Sequence, residues 1–240
     1  MHNEILLKGF ESFNLLNGLS NHFRNLLLSK NESLVEIMEV SEAEKTKYIN
    51  LDLGEYKLLL IDTNVKHNLA NTEYNQRVSE CKESLQIINE LCRQNYSNLS
   101  QVNKVNLSSS KEKLGETLYK RASYILNENQ SVINSVEFLE NDKLKEFGQL
   151  MYESHFGLKN DYEVSCKELD FLVEYTMKYN EILGSRMMGG GFGGCTLSLI
   201  KDSFIIEFIE VIEKEYFSKF KRKLNPIIAN LDQGLQMSLI

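Results

Sequence analysis

The chain has 240 residues, with 27 lysines and arginines against 34 aspartates and glutamates, so its formal net charge is −7. Hydrophobic residues at 42% and charged residues at 25% are ordinary globular values, which excludes a disordered or fibrous chain. A pI near 5.3 gives no bulk attraction for phosphate polyanions and argues against nucleic-acid or anionic-membrane partners.

That length suits one large domain or two small ones. The opening MHNEILLKGF lacks a basic start and a long apolar run, so it does not read as a secretory signal. Apolar runs such as Leu58 to Ile61 fall far short of the roughly 18 residues a spanning helix needs. Cys81, Cys92, Cys166 and Cys195 form no CxxC pair, which argues against zinc. They read as small buried hydrophobes of a reducing compartment. The expectation is a soluble, cytoplasmic protein.

In chain order, LVEIMEV alternates from Leu34 to Val40, and YKLLLID (Tyr56 to Asp62) is a short apolar run bounded by Gly54 and Asn64; both predict strands. A helix follows from Asn71, because Tyr74, Val78, Cys81, Leu85, Ile88 and Cys92 recur at alternating spacings of 4 and 3 on one face. Glu80, Glu83 and Glu90 lie off that stripe. Residues 94–112 are rich in serine and asparagine and predict a surface connection. Helices are predicted at 113–127, 130–139, 142–153 and 166–180, a second strand region at 185–200 and a long amphipathic helix at 203–221. Lys219, Lys221, Arg222 and Lys223 read as its solvated end. Strand pairs alternating with long helices predict an α+β fold around a small, mostly antiparallel sheet.

Six of the thirteen glycines fall between residues 184 and 194, in GSRMMGGGFGGC. Glycine in ordered structure costs about 0.5–1 kcal/mol relative to alanine, so such a cluster marks a backbone that turns with positive φ or approaches another group closely. Gly189, Gly191 and Gly194 spell GxGxxG, a weak signal alone. A dinucleotide site would open a helix, whereas CTLSLI alternates with period two and opens a strand. A P-loop would carry Gly-Lys-Ser/Thr, which is missing, and only 46 residues follow Gly194, too few for a protein-kinase lobe. The readings left are a phosphate-side loop between two strands and a tight structural hairpin.

The segment GSRMMGGGFGGCTLSLI resembles the third motif of galactokinases, members of the GHMP small-molecule kinase superfamily. DTNVKHNLANTEYNQRVSEC resembles their Asn-Val-x-His run leading into a Tyr-x-x-Arg helix, and FGQLMYESHFGLKNDYEVSCKELDFLVE resembles their Ser-His and Glu-Val-Ser segment. RASYILNENQSV is a weaker match. The resemblance implies a GHMP kinase C-terminal domain over residues 57–240, with residues 1–56 a remnant of the catalytic-aspartate segment and its strands. It implies ATP with Mg²⁺, and galactose or a related hexose as substrate. Tyr74 corresponds to the tyrosine that contacts the sugar, although its place on the apolar stripe also suits a core residue. Gly189, Gly190, Gly191, Gly193 and Gly194 correspond to the loop that supports the phosphate loop. His67 and His155 fall in matching segments and read as hydrogen-bonded structural residues.

Two family motifs are not found in the chain: the sugar-binding run Arg-x-Asn-x-x-Gly-Glu-His-Thr-Asp and the Gly-Leu-Ser-Ser-Ser phosphate loop. Ser108-Ser109-Ser110 lacks the glycine and reads as a linker. GLSNHF (Gly18 to Phe23) stands 46 residues before Asn64, a spacing that aligns it with the family's Gly-Ile-Met-Asp-Gln-Phe and puts Asn21 where the catalytic aspartate belongs. An ordinary turn asparagine is the other reading. An amide takes no proton from a sugar hydroxyl, and losing a positioned acid–base group costs roughly 10²–10⁴-fold in rate. The expectation is an N-terminally truncated galactokinase-family chain, inactive alone and binding ATP and Mg²⁺ poorly. The alternatives are a non-catalytic sugar or nucleotide sensor, half of a split kinase completed by an N-terminal-half partner, or a homodimer.

Overall fold

The computed structural model describes residues 52–65 and 70–229, all within one compact unit, Leu51–Ile240. Its elements are β1 (Tyr56–Asp62), α1 (Ala70–Cys92), α2 (Lys104–Ser109), α3 (Lys111–Glu140), α4 (Leu144–Asn160), α5 (Lys167–Thr176), β2 (Ile182–Met188), β3 (Cys195–Lys201), α6 (Ile205–Phe220) and β4 (Asn225–Ala229). The strands form one antiparallel sheet in the order β2-β3-β1-β4. Among the described residues this is the expected α+β fold, and no helix there is long and apolar enough to cross a membrane.

Alternation sorts the strand side chains to the two faces. On one face Leu59, Ile61, Ile182 and Ile200 pack with Phe208, Ile212 and Tyr216 of α6 and Leu172 of α5. On the other, Leu58, Leu183, Leu197 and Leu199 meet Phe147 and Met151 of α4. There α4 lies directly on β2: a Cβ built on Gly148 would stand 2.3 Å from the Leu183 carbonyl oxygen, and one on Gly184 would stand 2.2 Å from that of Gly148. Behind α4, the α1 stripe of Cys81, Leu85, Ile88 and Cys92 packs with α3 as the spacing predicts.

Several expectations are corrected. The polar stretch 94–112 is not a plain connection: a 3₁₀ turn (Leu99–Gln101) and α2 fold back, and Leu99, Val102 and Leu107 are buried against α1 and α3. The Asn103 side chain caps α2 by accepting from the Asn106 N–H at 2.8 Å. Three apolar side chains in a polar run are enough to anchor it. The helices expected at 113–127 and 130–139 are one, α3, because no glycine or proline separates them; its irregularity is at Gly115, with φ 67°. The region 185–200 is, as expected, two strands joined by the glycine loop. The four cysteines are free and half-buried, not fully buried. The basic end of α6 is exposed as expected, at Lys219, Lys221, Arg222 and Lys223; within it Lys221 adopts a left-handed cap (φ 55°), Arg222 pairs at 2.7 Å with the buried Glu168, and Lys219 sits over the Phe171 ring. The strand expected at Leu34–Val40 lies outside the described residues, as do Asn21 and His67.

Candidate functional site

The glycine loop joins β2 to β3, and each end is tied down by a different neighbour. At the β3 end, the chain leaving β1 runs alongside: the buried Thr63 donates both its N–H and its hydroxyl to the Gly194 carbonyl, at 3.0 and 2.8 Å. Thr63 is fixed in turn by the Tyr216 hydroxyl, which donates to its carbonyl at 2.9 Å. In the middle, Phe192 donates its N–H to the Val164 carbonyl at 2.7 Å. Gly191 (φ 89°) and Gly193 (φ 135°) are buried; a Cβ on them would meet the carbonyl oxygens of Val164 at 2.0 Å and Val65 at 2.8 Å. Only glycine fits that backbone-to-backbone approach. Phe192 itself has φ 59°, and its hydrogen bond and the packing of its ring beside Met187 and Val164 hold that strained conformation.

Gly189 and Gly190 differ: both are exposed, and a Cβ on either would meet nothing within 4 Å. The loop therefore has an anchored half, Gly191 to Gly194, and an open half that offers bare backbone to solvent.

At the β2 end the anchor is His155. Its ring is fully buried; Nδ1 accepts the Met187 N–H at 3.3 Å, and Nε2 stands 3.3 Å from Asp170 Oδ1. A ring accepting at Nδ1 carries its proton on Nε2, toward the carboxylate. Burial raises the Asp170 carboxyl, but His155, Ser165 (2.6 Å) and Lys159 (3.3 Å) outweigh it and hold it below the ordinary aspartate value. One residue earlier, Arg186 pairs at 3.0 Å with Glu128 of α3, which also accepts from the Ser154 hydroxyl at 2.6 Å. Burial and the nearby Asp62 carboxylate raise the Cys195 thiol, which makes it a poor nucleophile.

The expected residues are thus partly assembled. The five loop glycines stand together, and His155 has the hydrogen-bonded structural place expected of it. Tyr74 falls in the N-terminal part of α1; Asn21 falls outside the described residues. Sequence reasoning missed Arg77, Glu80, Arg121 and Glu163, a charged cluster bracing the α4–α5 turn, because no spacing links α1 to α3. The described residues contain no group of three His, Cys, Asp or Glu side chains able to hold a metal ion. They do not fit Mg²⁺, so no step is derived through that ion.

Comparison with known proteins agrees with this architecture. Residues 135–216 match the family model of the GHMP kinases C terminal. The chain has the fold of a GHMP kinase C-terminal domain. Within that superfamily its likeness is to the galactokinases. It is 37% identical to the galactokinase of Clostridium acetobutylicum over 188 residues, which is 78% of this chain and 48% of that one. With Thermotoga maritima galactokinase it shares 38% identity over 174 residues, 72% of this chain and 47% of the other. The crystal structure of Lactococcus lactis galactokinase complexed with galactose superposes with a TM-score of 0.70 at 30% identity, covering 75% of this chain and 46% of that one. The chain spans about half the length of these relatives.

Proposed function

We propose that the chain is the C-terminal half of a cytoplasmic, ATP-dependent galactose kinase, with residues 57–240 as its domain and residues 1–56 carrying a degenerate catalytic segment. The supporting observation is the glycine loop: one half braced by β1 and the α4–α5 turn, the other half open backbone, in a chain similar to a galactokinase crystallised with galactose. In this reading Gly189 and Gly190 face the nucleotide phosphates and support a phosphate loop that these 240 residues do not contain. Gly191, Gly193 and Gly194 keep the loop in place. Tyr74 contacts the sugar, and Asn21 stands where an aspartate would take the proton from its anomeric hydroxyl.

As the 240-residue polypeptide, the protein is therefore expected to turn over no ATP and to bind galactose more weakly than about 1 mM. Calorimetry with galactose and a coupled ADP-release assay test this. Adding the N-terminal half of a galactokinase, with its sugar-binding run and phosphate loop, should produce galactose-dependent ADP release. Asn21→Asp should then raise the rate by roughly 10²–10⁴-fold. Failure of both additions, with a folded chain, would overturn the kinase reading. Galactose binding tighter than about 1 mM without ATP hydrolysis would favour a sensor instead.

A further inference from the structure

The α4–α5 turn, residues 161–164, is gripped by two arginines. Arg77 donates from Nε to the Tyr162 carbonyl at 2.7 Å and from Nη2 to the Glu163 carbonyl at 3.2 Å. Arg121 donates from Nη1 to the Asp161 carbonyl and from Nη2 to Glu163 Oε2 at 2.6 Å. Three consecutive carbonyls are thus held by two guanidinium groups, one from α1 and one from α3. Glu80 locks the pair together: its carboxylate accepts from Arg77 Nη1 at 3.0 Å and from Arg121 Nε at 2.8 Å. The three side chains are only 6%, 3% and 12% exposed for Arg77, Arg121 and Glu80.

The grip fixes an unfavourable turn. Glu163 has φ 55°, a left-handed conformation that a non-glycine residue adopts at some cost. The next carbonyl in the chain, that of Val164, is the one that accepts from Phe192 in the glycine loop and abuts Gly191. Burying this much charge is a poor route to stability alone, since well-packed apolar side chains serve as well or better. Apolar side chains could not, however, hold three carbonyls in a set direction.

We infer that Arg77, Glu80 and Arg121 are positioning residues for the glycine loop, acting through the carbonyls of residues 161–163 to aim the Val164 carbonyl at Phe192 and Gly191. The bracket holds the loop without touching whatever the loop approaches. That the approached group is a phosphate rests on the kinase reading above; the positioning does not.

Hydrogen exchange of the full chain, without nucleotide or sugar, separates positioning from general stability. Arg121→Lys keeps the charge but not the fork, so one ammonium cannot reach all three acceptors. Peptides spanning residues 187–196 should exchange at least about tenfold faster, the effect of losing one charge-assisted hydrogen bond. The β1 peptide, residues 56–62, should stay within about twofold of wild type. Phe208→Leu, in the α6 core, is the control and should accelerate strand and loop together. Glu80→Gln is the second variant and keeps the shape of the side chain while removing its charge; it should show the same loop-selective change. Parallel acceleration of strand and loop in the bracket variants, an unchanged loop, or failure of both variants to fold would overturn the inference and leave the bracket a general determinant of the fold. None of these outcomes depends on kinase activity.

Discussion

A Cβ on Gly191 would stand 2.0 Å from the Val164 carbonyl oxygen, whereas one on Gly190 would meet nothing within 4 Å. The two neighbours therefore make a matched pair of probes. Gly191→Ala combines a backbone collision with a positive φ, and neither a rotamer change nor a flexible neighbour relieves it. It should destabilise the chain by about 2–4 kcal/mol, within the range of strained and overpacked substitutions. Gly190→Ala should stay within about 0.5 kcal/mol of wild type. Urea unfolding followed by circular dichroism reads both, and equal effects at the two positions would mean that the loop is not anchored at Val164. In the sequence the glycines 189–194 look equivalent. Only the partner on the other side of each Cα tells them apart, and that partner lies 27 residues away from Gly191 in the case of Val164.

At the scale of elements, the crossing of α4 over β2 depends on two glycines that the loop motif does not explain. Gly184 belongs to the dense glycine stretch in sequence, yet it lies inside β2 and packs on Gly148 of α4. Placing a methyl group at either position pushes backbone against backbone, so Gly184→Ala and Gly148→Ala should each cost about 1–3 kcal/mol. The double variant should cost less than the sum of the two, because once the helix has moved away one methyl group makes room for the other. Additive single and double unfolding energies would refute a shared contact. The periodic elements were legible: the 4-and-3 stripe of α1 from Cys81 to Cys92 and the run Tyr56–Asp62 both form as read, since burial on one face or both leaves a pattern in a local window. Buried anchors in polar surroundings left none. Leu99 and Leu107 are single apolar residues among serines and asparagines, and Glu80, off the apolar stripe like the exposed Glu83 and Glu90, turns inward because Arg121 meets it from α3. Of the site, the glycines and the His155 segment could be recognised from their motifs, while the bracket that orders them is made of contacts between distant residues.

Over the whole molecule, the carboxylates that brace the glycine loop link its stability to pH. Burial raises the Glu80 carboxyl, but Arg121, Gln76 and Arg77 outweigh it and hold it below the ordinary glutamate value. The Arg121 hydrogen bond lowers Glu163, and the partners of Asp170 lower that group despite its burial. A carboxyl whose folded pKa is depressed adds stability that is complete above its unfolded value and lost as pH falls through the folded one. For Asp170 the unfolded value is near 3.8, so its contribution should be full at about pH 6 and fade below about pH 4. If net charge governed stability instead, the optimum would lie at the pI near 5.3, where self-repulsion vanishes. Urea midpoints of wild type and Asp170→Asn, measured between about pH 3 and pH 7, distinguish the two. The gap between the proteins should be widest near neutrality and close as the solution is acidified, because protonated aspartate and asparagine are then alike in charge. A gap that stays constant across the range would mean that Asp170 acts through its shape alone, and that the His155 ring keeps its hold on Met187 without help from the carboxylate.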